Sequence, residues 1–450
     1  MSQLRILVLA PDANPEAISV CLVCCRHAEA LAKLHKVTLV GHSRHEAALR
    51  RTEAPFHAIE AISIPWLDRI LDWSIRRIFK NNYHSRALTA FTYPFSIAFE
   101  WRAWRHMRRQ ITAGEFDLVL RLSPVISVIP SSFPFFLRNS RIPFLIGPIN
   151  GGLPWPQGFS QAANQRSWID GFRRLYRMMP FSKSTYRKAA AIIAGSSQTY
   201  AEFEMYRDKL FFIPENGVSR SLCSEASCGP RHAGKLELIF VGGLVPYKAC
   251  DLALRAAASL LRGGLANFAV VGEGPERHRL EQLAKSLQIE DAVYFCGFLS
   301  HSETLQRMRL SDVLVFPSVR EFGGGVVFEA LAVGAVPLVA DFGGPGDVVY
   351  PDVGYKVPLT NESDVVARLE EALVELVNNR DHLERLRRQG MSYARERLTW
   401  EAKARDTTRI LYWVMGQGPR PDLPPPKLLA VGIGSSRENA FRCSGTPVSR

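Results

Sequence analysis

Apolar and polar positions follow two rhythms along this chain. Short solid apolar runs alternate with longer stretches in which apolar residues recur every three or four positions. Arg5–Leu9 is such a run, closed at once by Pro11 and Asp12, as a strand buried on both faces requires. A helical period follows through Ala28, Leu31 and Leu34, and then a second run at 36–40. Further runs at 117–120, 144–147, 191–194 and 210–213 predict more strands. The rhythm breaks at 219–235, a Ser- and Gly-rich stretch without apolar period that reads as a linker. It restarts with runs at 236–241, 268–271, 293–295, 313–316 and 336–340, with helices between them such as 277–287. Strand, helix, strand in this order predicts α/β architecture with doubly wound parallel sheets.

The expected organisation is therefore a first domain at 1–218, a linker at 219–235 and a second domain at 236–395. Residues 396–415 supply a helix near Trp400–Val414 that crosses back to the first domain, and 416–450, rich in Pro and small polar residues, form a disordered tail.

The 450 residues suit two domains, and 47% apolar against 22% charged residues excludes a mainly disordered or coiled-coil chain. The stretch 125–149 is cut by Pro130, Pro134, Arg138, Arg141 and Pro143, so no membrane-spanning helix is expected. Arg5–Leu9 is too short for the apolar region of a signal peptide, so a cytoplasmic protein is expected. Its eight cysteines are then mostly reduced. Cys21, Cys24 and Cys25 contain a CxxC spacing, but no second pair or histidine stands at zinc spacing, and a buried helix face is expected instead.

The segment with most chemistry is Arg320-Glu-Phe-Gly-Gly-Gly-Val-Val-Phe-Glu329, which follows the run 313–316 and Pro317-Ser318. Gly323, Gly324 and Gly325 stand where a strand turns into a helix, and free backbone amides at such a turn suit a diphosphate. Glu321 is placed at the start of that helix and Glu329 about two turns in, where carboxylates accept hydrogen bonds from sugar and ribose hydroxyls.

This Glu-x7-Glu segment resembles the donor signature of retaining glycosyltransferases of family 4, the bacterial glycosyl transferases of group 1. Those enzymes have the GT-B fold, two facing Rossmann-like domains. Phe240-Val-Gly-Gly-Leu-Val-Pro-Tyr-Lys248, Val271-Gly-Glu-Gly-Pro-Glu276, Ile213-Pro-Glu-Asn-Gly217, Asp341-Phe-Gly-Gly-Pro345 and Gly147-Pro-Ile-Asn-Gly-Gly-Leu-Pro-Trp155 are similar to other family segments. The resemblance covers about residues 4 to 415 and is most specific in the second half. It implies that Lys248 and Glu321 are catalytic, with Lys248 offsetting charge on the leaving diphosphate. It implies a donor site of Gly242, Gly243, Lys248, Glu321, Phe322, Gly323, Gly324, Gly325 and Glu329. It also implies a nucleotide-sugar co-substrate without cofactor or metal.

Two positions depart from the family pattern. Gly243 stands where an arginine usually pairs with the lysine, so that Arg320 or another arginine would have to substitute. Leu120 stands where a histidine usually meets a donor hydroxyl, and leucine cannot hydrogen-bond it. Expected acceptor contacts are Asp12 and Asn14 (with Ser19 in the same loop), Arg121, and Asn150 with Gly151, all near ends of first-domain strands.

The 56 basic against 43 acidic residues leave a charge of +13. Segments 66–110 and 166–188 carry nearly all of that surplus, both in the first domain. In the first segment Leu67, Ile70, Leu71, Ile75, Ile78 and Phe79 form a helical apolar stripe beside Arg69, Arg76, Arg77 and Lys80. Such a segment suits an anionic membrane surface, against the alternative of a helix packed on its own domain with a solvated basic face. No nucleic-acid-binding module is present, so nucleic acid is not an expected partner. The expected function is transfer of a hexose from a nucleoside diphosphate sugar to a lipid-linked or saccharide acceptor. Surface polysaccharide or glycolipid is the expected product, made peripherally at the cytoplasmic membrane face. A catalytically impaired nucleotide-sugar-binding protein is the alternative.

Overall fold

The computed structural model describes residues 3–17, 20–77, 86–122, 129–150, 153, 155–156, 159, 179–224 and 234–425. Two wholly parallel sheets organise the chain. The first has seven strands in the order β3-β2-β1-β4-β5-β6-β7, and the second six in the order β10-β9-β8-β11-β12-β13. The first sheet consists of β1 (Arg5–Leu9), β2 (Lys36–His42), β3 (Ala58–Ile62), β4 (Leu118–Arg121), β5 (Phe144–Ile149), β6 (Ala191–Ala194) and β7 (Leu210–Phe212). The second consists of β8 (Leu236–Val241), β9 (Ala266–Val271), β10 (Val293–Gly297), β11 (Val313–Phe316), β12 (Val336–Ala340) and β13 (Tyr355–Val357).

Strand order reverses between β1 and β4 in one sheet and between β8 and β11 in the other. These are the switch points at which the loops after neighbouring strands diverge and leave a crevice. The central strands are apolar on both sides because helices cover both faces: Leu7, Val8, Leu9, Val119, Leu120, Leu314 and Val315 are fully buried. Edge strands β3 and β13 are absent from the sequence expectation. At an edge the chain keeps solvent contact, and β3 is only half-buried over Ala58–Ala61, so no solid apolar run marks it.

The helices that position the site are, in chain order, α1 (Val20–Ala32), α2 (Pro65–Arg77), α3 (Arg86–Thr112), α4 (Ser197–Glu202), α5 (Gly325–Val333), α6 (Gly343–Val348) and α7 (Trp400–Val414). Helix α1 carries Cys24 and Cys25 on its buried face, and the six cysteines among the described residues are unbridged. Helix α7 returns to the first domain as expected. It packs along α1, with Ile410 and Leu411 in the first-domain core and Trp413 edge-on to Phe211 at 5.2 Å. Its polar side is stitched to the same domain by His27 to Thr407 at 3.0 Å, His35 to Thr408 at 2.9 Å and Lys33 to Glu401 at 3.0 Å. Residues after β5 cross the other way: Phe159 is buried in the second-domain core and Trp155 packs against it.

Of the expected sequence features, Ser19, Gly151, Lys80, Ile78, Phe79, most of the linker, most of segment 166–188 and the tail from 426 onward lie outside the described residues.

Candidate functional site

Lys248 and Glu321 meet at the β8/β11 switch point. Lys248 ends the short turn Pro246–Lys248 that follows β8, and Glu321 lies on the loop after β11. Their side chains form an ion pair and are only 17% and 18% exposed. The Lys248 ammonium also sits 5.0 Å from the Phe316 ring centre, which adds a cation–π attraction. Glu321 also braces the glycine turn, because its Oε1 accepts the Gly324 amide at 3.3 Å at the start of α5.

Gly324 takes a left-handed conformation, φ +59°, and a Cβ there would press on Pro345 at 2.9 Å. Gly323 is needed for a different reason: a Cβ would collide with the side-chain amide of Asn216 from the first domain. The helix itself begins at Gly325, so Glu329 lies about one turn in, not the two expected. Its carboxylate accepts from His301 Nε2 at 2.8 Å, and that hydrogen bond, with the attraction of the charge, raises the pKa of His301 against the effect of burial. Phe322 contributes its carbonyl to the Gly344 amide at 2.9 Å, which ties the loop to α6. Gly242 and Gly243 follow β8. At Gly243 a Cβ would meet only the Glu273 carbonyl at 3.9 Å, so the departure from arginine leaves open space there. Arg320 lies beside the site with its guanidinium 4.9 Å from the Trp155 ring centre.

In the first domain the expected contacts separate. Asp12 and Asn14 lie after β1, at that sheet's switch point. Burial raises the pKa of the Asp12 carboxyl, against the nearby charges of Arg44, His42 and Arg121. Asn14 is engaged at both ends of its side chain, by His45 of the turn after β2 at 3.2 Å and by the Glu16 amide of its own loop at 2.9 Å. Asn150 donates to Glu215 at 2.9 Å. Arg121 is a correction. As the last residue of β4 its side chain takes the face opposite Leu120 and pairs with Glu100 at 2.9 Å, the two side chains being 2% and 5% exposed. Glu100 also accepts from the Ser131 and Ser132 hydroxyls and the Ser132 and Phe133 amides, and Arg121 donates to the Ile129 carbonyl at 2.9 Å. A charge so enclosed is held by its partners and does not reach an acceptor. Leu120 is fully buried.

Two residues of this region carry no expectation from the sequence. Glu215, after β7, is 8% exposed. Its Oε2 stands 3.4 Å from the position a Cβ on Gly323 would take. Lys403 of α7, 2% exposed, donates to the Pro214 carbonyl and lies 5.5 Å from the Phe328 ring centre of α5. Burial pushes its pKa down to about 7, against the pull of Asp406 and Glu215. The only sequence signal for Glu215 is its place in the Ile213–Gly217 motif, and for Lys403 there is none, because a lysine on an amphipathic helix ordinarily faces water.

Residues 229–392 match the family described as glycosyl transferases group 1. That stretch resembles a group 1 glycosyltransferase domain. The two domains together have the GT-B fold. Sucrose-phosphate synthase from Thermosynechococcus elongatus superposes with a TM-score of 0.60 at 17% identity, over 92% of this chain and 100% of that one. HepE from Anabaena, a complex with UDP, gives 0.57 at 16%, over 91% and 100%. Glycogen synthase from Mycobacterium tuberculosis is 27% identical over 277 residues, 59% of this chain and 64% of that protein. The chain spans less than two thirds of the length of the curated relatives it matches.

Proposed function

We propose that this protein is a retaining glycosyltransferase that moves a hexose from a nucleoside diphosphate sugar to a hydroxyl acceptor. The observation that carries this is the Lys248–Glu321 pair at the β8/β11 switch point, beside the amides of Gly323–Gly325. A partly buried ammonium whose partner among the described residues is a single side-chain carboxylate is ready to exchange that partner for a diphosphate.

In this reading the diphosphate lies against Lys248 and the glycine amides, and Glu321 turns to the sugar hydroxyls. The acceptor hydroxyl attacks the anomeric carbon on the face the phosphate leaves. The carbon–oxygen bond to phosphate breaks, the leaving oxygen takes the hydroxyl proton, and Lys248 with the amide dipoles offsets the growing charge. Glu329 takes the ribose. No metal or cofactor enters this reading.

The acceptor proposed is lipid-linked or a saccharide, in surface polysaccharide or glycolipid synthesis at the cytoplasmic membrane face. Support comes from α2, whose Trp66, Ile70 and Trp73 fall on one side of the helix and are 63%, 45% and 59% exposed, between exposed Arg69 and Arg77. No helix among the described residues is long and apolar enough to cross a membrane.

The open space at Gly243 and the buried Leu120 favour a second reading, a nucleotide-sugar-binding protein without turnover. Nucleotide release from UDP-, GDP- and ADP-sugars, with binding measured in parallel, decides between them. Binding with release supports transfer, binding without release supports the second reading, and no binding overturns both.

A further inference from the structure

Glu215 is a buried carboxylate with one oxygen unused. Oε2 accepts the Asn150 amide at 2.9 Å, and among the described residues Oε1 has no donor. The carboxylate lines a recess with Val20, Cys24, His27, Leu122 and Pro148, at the carboxyl ends of the first-domain strands. His27 is already tied to Thr407 at 3.0 Å, so the remaining lining is largely apolar. Burial raises the pKa of Glu215, and the charge of Glu321 pushes it further, against the Asn150 hydrogen bond and Lys403. Oε1 is not among the fully enclosed side-chain atoms left without a partner, so it keeps access to solvent, from which a ligand hydroxyl can reach it.

Its position faces the second domain. Asn216, the next residue, abuts Gly323, and Glu215 Oε2 itself lies 3.4 Å from where a Gly323 Cβ would be. Leu118, Leu120 and Leu122 lie in one core cluster with Ile213, two residues before Glu215, and Leu122 lines the same recess as Glu215. Lys403 beneath the turn holds the Pro214 carbonyl, so the loop is fixed from below by α7.

We infer that Glu215 is a specificity-determining residue of the donor site, accepting a hydrogen bond from a hydroxyl of the transferred sugar that Leu120 cannot accept. This rests on the donor site proposed above and adds a first-domain contact to it. The contact is made only when the sugar bridges the two domains, so it distinguishes a nucleotide sugar from its nucleotide.

The test is calorimetry on the full chain with UDP, GDP and ADP and with the glucose conjugate of each. Wild type should bind one conjugate more tightly than its bare nucleotide. Glu215→Ala should abolish that sugar-dependent gain, about tenfold for a charged hydrogen bond, and leave the affinity for the bare nucleotide unchanged. Glu215→Gln, which keeps an acceptor for Asn150, should fold like wild type and still lose most of the gain. If both variants keep the gain, or lose nucleotide and conjugate affinity equally, the inference is overturned. If wild type binds none of the six, the donor-site reading itself falls, and this inference with it.

Discussion

Asp347 of α6 accepts the Ser197 amide at 2.8 Å, so a carboxylate of the second domain holds the first turn of helix α4 of the first, whose own N-cap is Ser196. The Ser197 hydroxyl donates to the same carboxylate, and Asp347 is 2% exposed. The other end of α6 holds the glycine loop, through the Gly344 amide on the Phe322 carbonyl at 2.9 Å. Domain contact and loop geometry thus share one short helix. Asp347→Ala leaves the Ser197 amide without its acceptor, a loss of about 1–3 kcal/mol when buried. Hydrogen exchange should quicken in both Ser197–Glu202 and Gly343–Val348. Unchanged exchange in both segments would contradict the coupling.

Donor affinity should depend on Lys248 and Glu329. Lys248→Ala removes the ammonium and leaves Glu321 without its ion-pair partner, so that in the proposed reading no cation separates Glu321 from the diphosphate. Glu329→Ala frees His301. Each change deletes a charge-assisted contact of about 1.5–3 kcal/mol, roughly tenfold or more in affinity. Unaltered nucleotide-sugar binding in both folded variants would remove the basis for the donor assignment.

Acid should unfold this protein partly through His27. Burial, with a smaller contribution from Lys403, pushes its pKa from 6.5 down to about 3. The folded state holds the ring neutral while the unfolded chain takes up a proton below 6.5, so stability falls as pH drops from there towards 3. His27→Gln keeps a partner for Thr407 and cannot titrate. Its melting temperature should decline less than that of wild type between pH 6.5 and about pH 4. Parallel declines would assign the acid sensitivity elsewhere.

Membrane docking should follow the exposed face of α2. Each Lys or Arg near an anionic surface contributes about 1 kcal/mol, and Trp66 and Trp73 add apolar burial. Wild type should sediment with anionic vesicles at low salt, less at high salt, and little with neutral vesicles. Trp66→Ser with Trp73→Ser should reduce the pelleted fraction. Equal, negligible pelleting with both vesicle types would refute docking.

The parallel strands were legible wherever both faces are buried. Arg5–Leu9, Ala191–Ala194, Leu236–Val241, Val313–Phe316 and Val336–Ala340 have the bounds their apolar runs predict. Burial on two sides leaves no position for a polar residue, so the pattern is local and complete. The edge strands Ala58–Ile62 and Tyr355–Val357 escaped because solvent on one side allows polar residues into the run.

The chain by itself determined which loops carry glycine, lysine and glutamate after which strands, since backbone conformation and strand burial are enforced over a few neighbouring residues. Only the tertiary structure decided which charges meet. Lys248 and Glu321, 73 positions apart, pair because β8 and β11 lie side by side at a strand reversal. Arg121 turns from the cleft because Glu100, on a distant helix, neutralises it in the core. Glu215 reaches Gly323 because the two domains close on each other there. Coulomb attraction and desolvation depend on distance in space, and no spacing along the sequence encodes that distance.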